Sequence, residues 1–315
     1  MRPHTSPLGI VLGIDFGGTK VALATADADG TRLATVQRRL DAAAGGEAVV
    51  RDGLATAREL LAETRAAGGG DLLAVGVVSP GIVQQDRVLL APNVPGWGNL
   101  ALAAAVTHGL ADEGLAAGAV LTGTDAKAAA LAEARWGSLV RSRCGVFLNL
   151  GTGTSAAVVV DGVVLGGAHG AAGEIGYALL HPGQPGYGAG RSPLEEHVSG
   201  RALGERASAL TGRSMTAADA LHDAAPQVAQ LVDEALDVLA LHVVNLACAV
   251  DPDTIAIGGG LLGAADVILP RLRTALAAGA PFPPDVVAAR HPHDAPLVGA
   301  IALATDHLHH TRSTL

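Results

Sequence analysis

The chain has 315 residues, 49% of them hydrophobic, but only three Phe, two Tyr and two Trp, so its core must be built from small aliphatic side chains. This length suits two domains, and the 42 Gly suit an α/β protein with glycine-rich turns and argue against disorder. The 30 acidic and 21 basic residues give a net charge of −9 without a basic run, which argues against nucleic-acid binding.

The two cysteines and the amino-terminal residues narrow the class of protein further. Cys144 and Cys248 are far apart, so they form neither a disulfide framework nor a CxxC metal site. The first residues, MRPHTSPLG, are too few and too polar for a signal peptide, and no apolar stretch reaches the ~18 residues of a membrane span. We therefore expect a cytoplasmic protein that contacts no membrane.

The first half of the chain opens with three short β-like runs, at 9–15, 20–27 and 31–39, separated by glycine or Asp-Gly. This punctuation predicts a β-meander. A helical pattern of leucine and alanine follows at about 47–67, and then the apolar strand LLAVGVVSPG. Another helix and a strand near GAVLTG complete this half.

From residue 144 the same pattern begins again. CGVFLNLG, TSAAVVVDG and VVLGG predict a second meander. Helices are predicted at about 199–211 and 226–250, followed by the strand TIAIGGG, a helix and the strand VVAAR. A final helix is predicted at about 296–310.

The order of elements is thus a β-β-β-α-β unit used twice, with helical insertions in the second half. We predict an amino-terminal α/β domain of residues 1–122 and a carboxy-terminal α/β domain of residues 123–315, with the last helix packing back on the first domain. Two such domains would enclose a cleft, where ligands commonly bind.

Four motifs follow predicted strands. The first, GIDFGGTK at 13–20, ends a strand at Asp15 and turns through Gly17, Gly18 and Thr19. Glycines permit positive φ and expose backbone N–H groups to phosphate oxygens, and Asp15 could hold a hydrated Mg²⁺ beside them. Taken alone, the motif fits an ordinary hairpin turn better.

The second motif, LGTGTSAAVVVDG at 150–162, repeats this pattern in the second half. A strand leads into Gly151, Thr152, Gly153 and Thr154, and another strand follows. Because two glycine hairpins occupy the same place in two repeated units, they predict a two-sided phosphate clamp.

The third motif, DPDTIAIGGGLLG at 251–263, runs a strand into Gly258, Gly259 and Gly260 at the start of a helix. These glycines leave room for a base or ribose against the backbone. A turn that needs glycine only for close packing explains the pattern equally well.

The fourth motif, GTDAKAAALAEARWG at 123–137, places Asp125 before an alanine-rich helix. Aspartate is a favoured N-cap residue, and this role alone would explain it. Since the preceding strand leads towards the predicted cleft, Asp125 could also accept a proton from a hydroxyl group.

Seven stretches, in this order, resemble the ROK family of sugar kinases: GIDFGGTK, APNVPGWGN, TDAKAAALAE, LGTGTSAA, GAAGEIGY, LEEHVSGRAL and DPDTIAIGGG. The resemblance covers nearly the whole chain. It implies an actin-like ATPase (ribonuclease H-like) fold, with two domains around a nucleotide cleft, and transfer of the ATP γ-phosphate to a sugar hydroxyl. Mg²⁺ is implied as the ion that arrives with ATP.

The resemblance also implies a role for each matching residue. Asp125 matches the family's catalytic base. The first phosphate loop is matched by Asp15, Gly17, Gly18 and Thr19, the second by Gly151, Thr152, Gly153 and Thr154, and the adenosine side by Gly258, Gly259 and Gly260. Contacts to the sugar are implied for Asn93, Glu174 and Glu195.

Departures from the family pattern lie on the sugar side. Thr124 stands where the family has Asn before the base, and Tyr177 stands where it has a histidine that binds both sugar and a structural zinc. The three zinc cysteines are missing from GYGAGRSPLEE, and the spacing of His181 and His197 fits no metal site, so no zinc is expected. Tyr177 either contacts the substrate in a new way or simply fills the zinc space; both remain open.

The sequence therefore predicts an ATP-dependent kinase that phosphorylates a primary hydroxyl of a sugar or a sugar-like cyclitol, with Asp125 as general base. The alternatives are a zinc-less glucokinase acting on D-glucose and a catalytically silent sugar-sensing regulatory protein. Retention of Asp15, Asp125 and both hairpins argues against the silent protein. A homodimer is expected.

Overall fold

The computed structural model describes residues 8–91, 95–292 and 294–313. Among these residues, no helix combines the length and the apolar character that crossing a membrane demands.

The strands and helices follow the predicted order closely. The strands are β1 (Leu8–Phe16), β2 (Lys20–Asp27), β3 (Arg32–Arg39), β4 (Gly69–Ser79), β5 (Ile82–Val83), β6 (Val88–Leu89), β7 (Val120–Thr124), β8 (Cys144–Leu150), β9 (Thr154–Val160), β10 (Val163–Val164), β11 (Thr254–Gly258) and β12 (Asp285–Ala288). The helices are α1 (Gly46–Ala66), α2 (Leu102–Gly109), α3 (Asp125–Trp136), α4 (Glu195–Val198), α5 (Gly200–Thr211), α6 (Ala217–Leu221), α7 (Pro226–Val250), α8 (Ala265–Gly279) and α9 (Ala295–Ser313).

The main sheet of the first unit has the order β3-β2-β1-β4-β7. The three strands of the meander pair antiparallel, whereas β4 runs parallel to both β1 and β7. The carboxyl ends of β1, β4 and β7 therefore lie at one edge of the sheet, which is where open α/β sheets bind their ligands. This edge carries Asp15, which pairs with Val78, and Thr124, which pairs with Ser79.

The second unit repeats this topology with the order β10-β9-β8-β11-β12. Here β8 and β9 pair antiparallel, and β11 runs parallel to both β8 and β12. Helices α5, α7 and α8 supply the apolar residues that cover this sheet. The predicted duplication of a β-β-β-α-β unit is therefore present in the two sheets.

Contacts divide the described chain after Ala132 and before Asp294, not at residue 122. The first ten residues beyond the predicted boundary belong to the first unit because β7 pairs with β4 and leads directly into α3. Helix α9 also belongs to the first unit, where it packs on β1 and β4. Gly13 and Gly76 permit this packing, since an added Cβ would meet Ile301 at the first and the Ala300 backbone at the second.

Candidate active site

The first glycine hairpin lies at the carboxyl end of β1. Its backbone closes through the Gly17 N–H, which donates to the Lys20 carbonyl at 2.9 Å. Neither Gly17 nor Gly18 has a positive φ. Openness distinguishes the turn instead, because a Cβ added at Gly18 would meet no atom within 4 Å and Thr19 is exposed. A phosphate group could therefore approach the backbone N–H groups here.

Asp15 and Asp125 lie near enough to influence one another's charge. Burial, followed by the negative charge of Asp125, raises the pKa of Asp15 to about 7, while Lys20 opposes the rise. Carboxylate oxygens are suitable ligands for a hydrated Mg²⁺, and the charge of such an ion beside Asp15 would favour the ionised form of its side chain. The donor set at this edge of the first sheet thus fits Mg²⁺.

Helix α3 begins at Asp125 itself, so the N-cap position, which was the simpler interpretation of Asp125, belongs to Thr124. The Thr124 hydroxyl accepts the Lys127 N–H at 3.4 Å, which is the contact of an N-cap side chain. Asp125 accepts the adjacent Ala126 N–H at 2.7 Å through Oδ1. Thr124 is buried and Asp125 is partly exposed, so the carboxylate stands at the start of the helix with access to a ligand.

The second hairpin, Gly151–Thr154, joins β8 to β9. It closes through the Gly151 N–H, which donates to the Gly153 carbonyl at 3.0 Å. Two further bonds hold it from outside: the Gly200 N–H donates to the Gly151 carbonyl at 2.8 Å, and the Thr154 N–H donates to Glu195 Oε2 at 3.0 Å. Thr152 is exposed at the tip, as Thr19 is in the first hairpin.

The three glycines after β11 adjoin the second hairpin. Gly259 has φ +90° and lies against the Leu150 carbonyl, where an added Cβ would be 2.5 Å from the oxygen. The Gly260 nitrogen would be 3.8 Å from a Cβ added at Gly151. A short 3₁₀ turn, Gly260–Ala264, intervenes before α8, so the glycines do not open the α-helix directly as predicted.

Tyr177 ends the short turn that follows Glu174. Burial raises the pKa of the Tyr177 phenol, and the negative charges of Glu195 and Glu174 raise it further. The phenol therefore stays protonated and can donate a hydrogen bond. Its ring packs edge-on against Tyr187, with ring centroids 5.4 Å apart and an interplanar angle of 88°.

Tyr187 was missed by the sequence-based prediction. It is 64% exposed and lies in a segment that was considered only for its lack of cysteine. The available signal was the scarcity of aromatic residues: the chain has two tyrosines, and they contact each other.

His181 and His197 are the two histidines whose spacing was considered for a metal site. His181 is exposed, and burial followed by the charge of Arg206 lowers the pKa of His197. Within the described ranges, no three His, Cys, Asp or Glu side chains are grouped as metal ligands. The expected lack of structural zinc stays a prediction, which elemental analysis of the purified protein would test.

The structure thus groups the predicted residues by unit. Asp15, Gly17, Gly18, Thr19, Thr124 and Asp125 lie at one edge of the first sheet, and Asn93 lies outside the described residues. The second unit brings together the Gly151–Thr154 hairpin, Gly258–Gly260, Glu174, Tyr177 and Glu195.

Comparison with known proteins identifies the family of this chain. The ROK family profile matches residues 11–307. The chain belongs to the ROK family. The resemblance predicted from the seven motifs is therefore confirmed.

The relatives described next are kinases by name, whereas another solved ROK family protein of similar fold is named a transcriptional regulator. The chain is 34% identical over 302 residues to an N-acetylmannosamine kinase of Shigella boydii, covering 93% of this chain and 97% of that protein. It is 30% identical over 327 residues to a glucokinase of Streptomyces coelicolor, covering 95% and 98% respectively. A ROK family glucokinase of Streptomyces griseus, solved in complex with glucose and AMPPNP, has a TM-score of 0.74 and 25% identity over 95% of this chain and 100% of that one. This structural likeness confirms the predicted actin-like ATPase fold.

Proposed function

We propose that this ROK protein is an ATP-dependent kinase that transfers the γ-phosphoryl group to a primary hydroxyl of a sugar or a sugar-like cyclitol. The observation that carries the proposal is the interaction of Asp15 with Asp125 at the open first hairpin. This pair offers one carboxylate to a cation and another to a hydroxyl proton. Phosphoryl transfer needs little more than such positioning and charge stabilisation.

Each unit supplies distinct parts of the proposed reaction. In the first unit, N–H groups of Gly18 and Thr19 bind phosphate oxygens, while the Gly17 N–H closes the turn on the Lys20 carbonyl. Asp15 would hold Mg²⁺, which would neutralise charge on the transferred group. Asp125 takes the proton from the attacking hydroxyl. Helix α3 supports this role because its N-terminus presents the carboxylate at the sheet edge.

In the second unit, the Gly151–Thr154 hairpin binds phosphate oxygens through its backbone. Gly258, Gly259 and Gly260 leave backbone open to the adenosine part of ATP. Glu174, Tyr177 and Glu195 bind the acceptor, and we also assign Asn93 and Thr124 to the acceptor side. The proximity of both acids to Tyr177 supports this grouping.

The setting of the proposed enzyme follows from its substrates. We propose a cytoplasmic location, because the proposed reaction consumes ATP. We also propose that the protein is a homodimer. Analytical ultracentrifugation would measure its oligomeric state.

An acceptor panel tests the proposed function. Purified protein with ATP and Mg²⁺ would receive D-glucose, N-acetyl-D-mannosamine, N-acetyl-D-glucosamine and a C7 cyclitol, with ADP release and product NMR as readouts. We expect acceptor-dependent ADP release and a phosphate on a primary hydroxyl.

The outcomes separate the remaining alternatives. Highest activity with D-glucose would identify a zinc-less glucokinase. Sugar binding by calorimetry without any ATP turnover would replace the kinase with a sugar-sensing regulatory protein.

A further inference from the structure

The segment that carries Glu195 holds the second phosphate hairpin at both ends. The Glu195 carboxylate accepts the Thr154 N–H at 3.0 Å, and the Gly200 N–H donates to the Gly151 carbonyl at 2.8 Å. Gly153 has no side chain where the carboxylate passes, since an added Cβ would be 2.6 Å from Glu195 Oε2. The absence of a side chain at Gly153 therefore allows the Glu195 carboxylate to pack directly against the hairpin.

The same carboxylate keeps capacity for a ligand. Among the described residues, Oε2 accepts the Thr154 N–H, whereas Oε1 has only a long contact of 3.5 Å with the exposed Arg201 guanidinium. An ionised carboxylate offers about four lone-pair positions, and the Glu195 side chain is 27% exposed. Acceptor hydroxyls can therefore reach Oε1 while Oε2 stays bonded to the hairpin.

The hairpin also has a buried hydrogen-bonding group to satisfy. Within the described part of the chain, the Thr154 hydroxyl oxygen is buried and has no hydrogen-bond partner. A buried hydroxyl without a partner lowers the stability of the arrangement that contains it.

We propose that Glu195 is a positioning residue that couples binding of the acceptor to binding of the ATP phosphates. This inference rests on the proposed function. An acceptor bound at Oε1 fixes the carboxylate, and Oε2 then fixes the Thr154 N–H and the hairpin that contacts phosphate. Ordering a binding loop in advance increases affinity because less freedom is lost on binding. Acceptor and ATP therefore bind more tightly together than either does alone, and the coupling is reciprocal.

Calorimetric titration of AMPPNP with Mg²⁺, in the absence and presence of saturating acceptor, tests this coupling. The acceptor probe is D-glucose, together with the compound of highest kcat/KM from the panel. In the unchanged protein we expect acceptor to tighten AMPPNP binding at least ~5-fold, within the usual range of couplings. In Glu195→Ala, we expect AMPPNP to bind ~10-fold more weakly without acceptor, because a charge-assisted hydrogen bond to the hairpin is lost. We also expect that acceptor no longer tightens AMPPNP binding in this variant.

Glu195→Gln and Glu196→Gln are the matched variants. The glutamine oxygen can still accept the Thr154 N–H, so Glu195→Gln should restore most AMPPNP affinity without acceptor while coupling stays reduced. Glu196 lies on the same turn but binds Arg191 and the Ser192 N–H, so Glu196→Gln should keep the full coupling. Thermal midpoints of all variants would establish that they are folded.

Two results would overturn the proposal. Equal AMPPNP affinity of Glu195→Ala and the unchanged protein without acceptor would show that the carboxylate does not position the hairpin. Normal kinase turnover without any effect of acceptor on AMPPNP affinity would remove the coupling and leave the proposed function standing. Absence of turnover with every acceptor would instead contradict the proposed function, while the first comparison would still test the hairpin contact.

Discussion

At the scale of single residues, Asp125 combines a local contact with a proposed chemical role. We expect Asp125→Asn to lower kcat by ~10²–10⁴-fold, the usual contribution of a general base, and to change acceptor binding much less. Asparagine can still accept the Ala126 N–H, which Asp125 accepts at 2.7 Å, so the thermal midpoint should stay close to that of the unchanged protein. Steady-state kinetics and a melting curve check this, and near-normal turnover would leave Asp125 with only its contact to the helix.

Asp15 makes stability depend on pH. Its pKa is raised from 3.8 to about 7 in the folded protein, mainly by burial and then by Asp125. Between these values the folded protein keeps a proton that the unfolded chain releases. The Asp15 contribution is therefore fully present below the unfolded pKa and is lost as pH rises through about 7.

Without Mg²⁺, we expect the free energy of unfolding to fall from about pH 5 to about pH 8, with at most ~3 kcal/mol of the fall due to Asp15. Asp15→Asn should remove that part of the slope, because the amide does not titrate. Urea unfolding across this pH range measures it, with the exposed Asp29→Asn as a control that should keep the slope. An unchanged slope in Asp15→Asn would contradict the prediction.

At the scale of elements, α9 completes the first unit by lying directly on its sheet. We expect Gly76→Ala to lower the free energy of unfolding by ~1–3 kcal/mol or more, because the new Cβ would overlap the Ala300 backbone and α9 would have to move. Gly166→Ala is the matched control, since a Cβ there meets no atom within 4 Å and should change stability by less than ~0.5 kcal/mol. Equal urea midpoints of the two variants would contradict this account of the packing.

The strands and long helices could be predicted because local pattern determines them. Glycine punctuation placed β1, β2 and β3 within two residues, and helical spacing placed α7 at its observed bounds. The domain boundary could not be predicted in this way, because it depends on β7 pairing with β4 and on α9 returning to the first sheet.

The same limit applies to the candidate site. Motifs identified both hairpins and their neighbouring acids, since these are short stretches of sequence. The Glu195–Thr154 bond spans 41 residues and the Tyr177–Tyr187 contact crosses a loop, so neither has a local signature. The motif alone did not show how glycine serves the first hairpin, where Gly18 provides open space and not a left-handed backbone.

At the scale of the whole molecule, the two repeated units differ at the position two residues before the glycine hairpin. Asp15 precedes the first hairpin by two residues, and Asn149 stands at the same place before the second. Their sheet positions also correspond: Asp15 pairs with Val78 on the parallel neighbour of β1, and Asn149 pairs with Gly258 on that of β8. The amide of Asn149 is neutral and contributes no charge, so we assign the proposed Mg²⁺ to Asp15.

Acceptor selectivity is a property of the whole protein. We expect Tyr177, which departs from the family pattern in the second unit, to change it. Glu174 and Glu195 both influence Tyr177, whose ring is held edge-on by Tyr187, so a protonated phenol stands where the family pattern has a histidine. A site built to bond particular hydroxyls discriminates strongly against ligands that leave its polar groups unpaired. We therefore expect D-glucose to be a poor acceptor, with a modified sugar or a C7 cyclitol better by at least ~10-fold in kcat/KM, about 1.4 kcal/mol.

Tyr177→Phe, which keeps the ring contact and removes the hydroxyl, should reduce this preference. Acceptors measured side by side with both proteins decide the matter: if D-glucose has the highest kcat/KM, or if Tyr177→Phe leaves every ratio unchanged, Tyr177 only fills space beside the two acids.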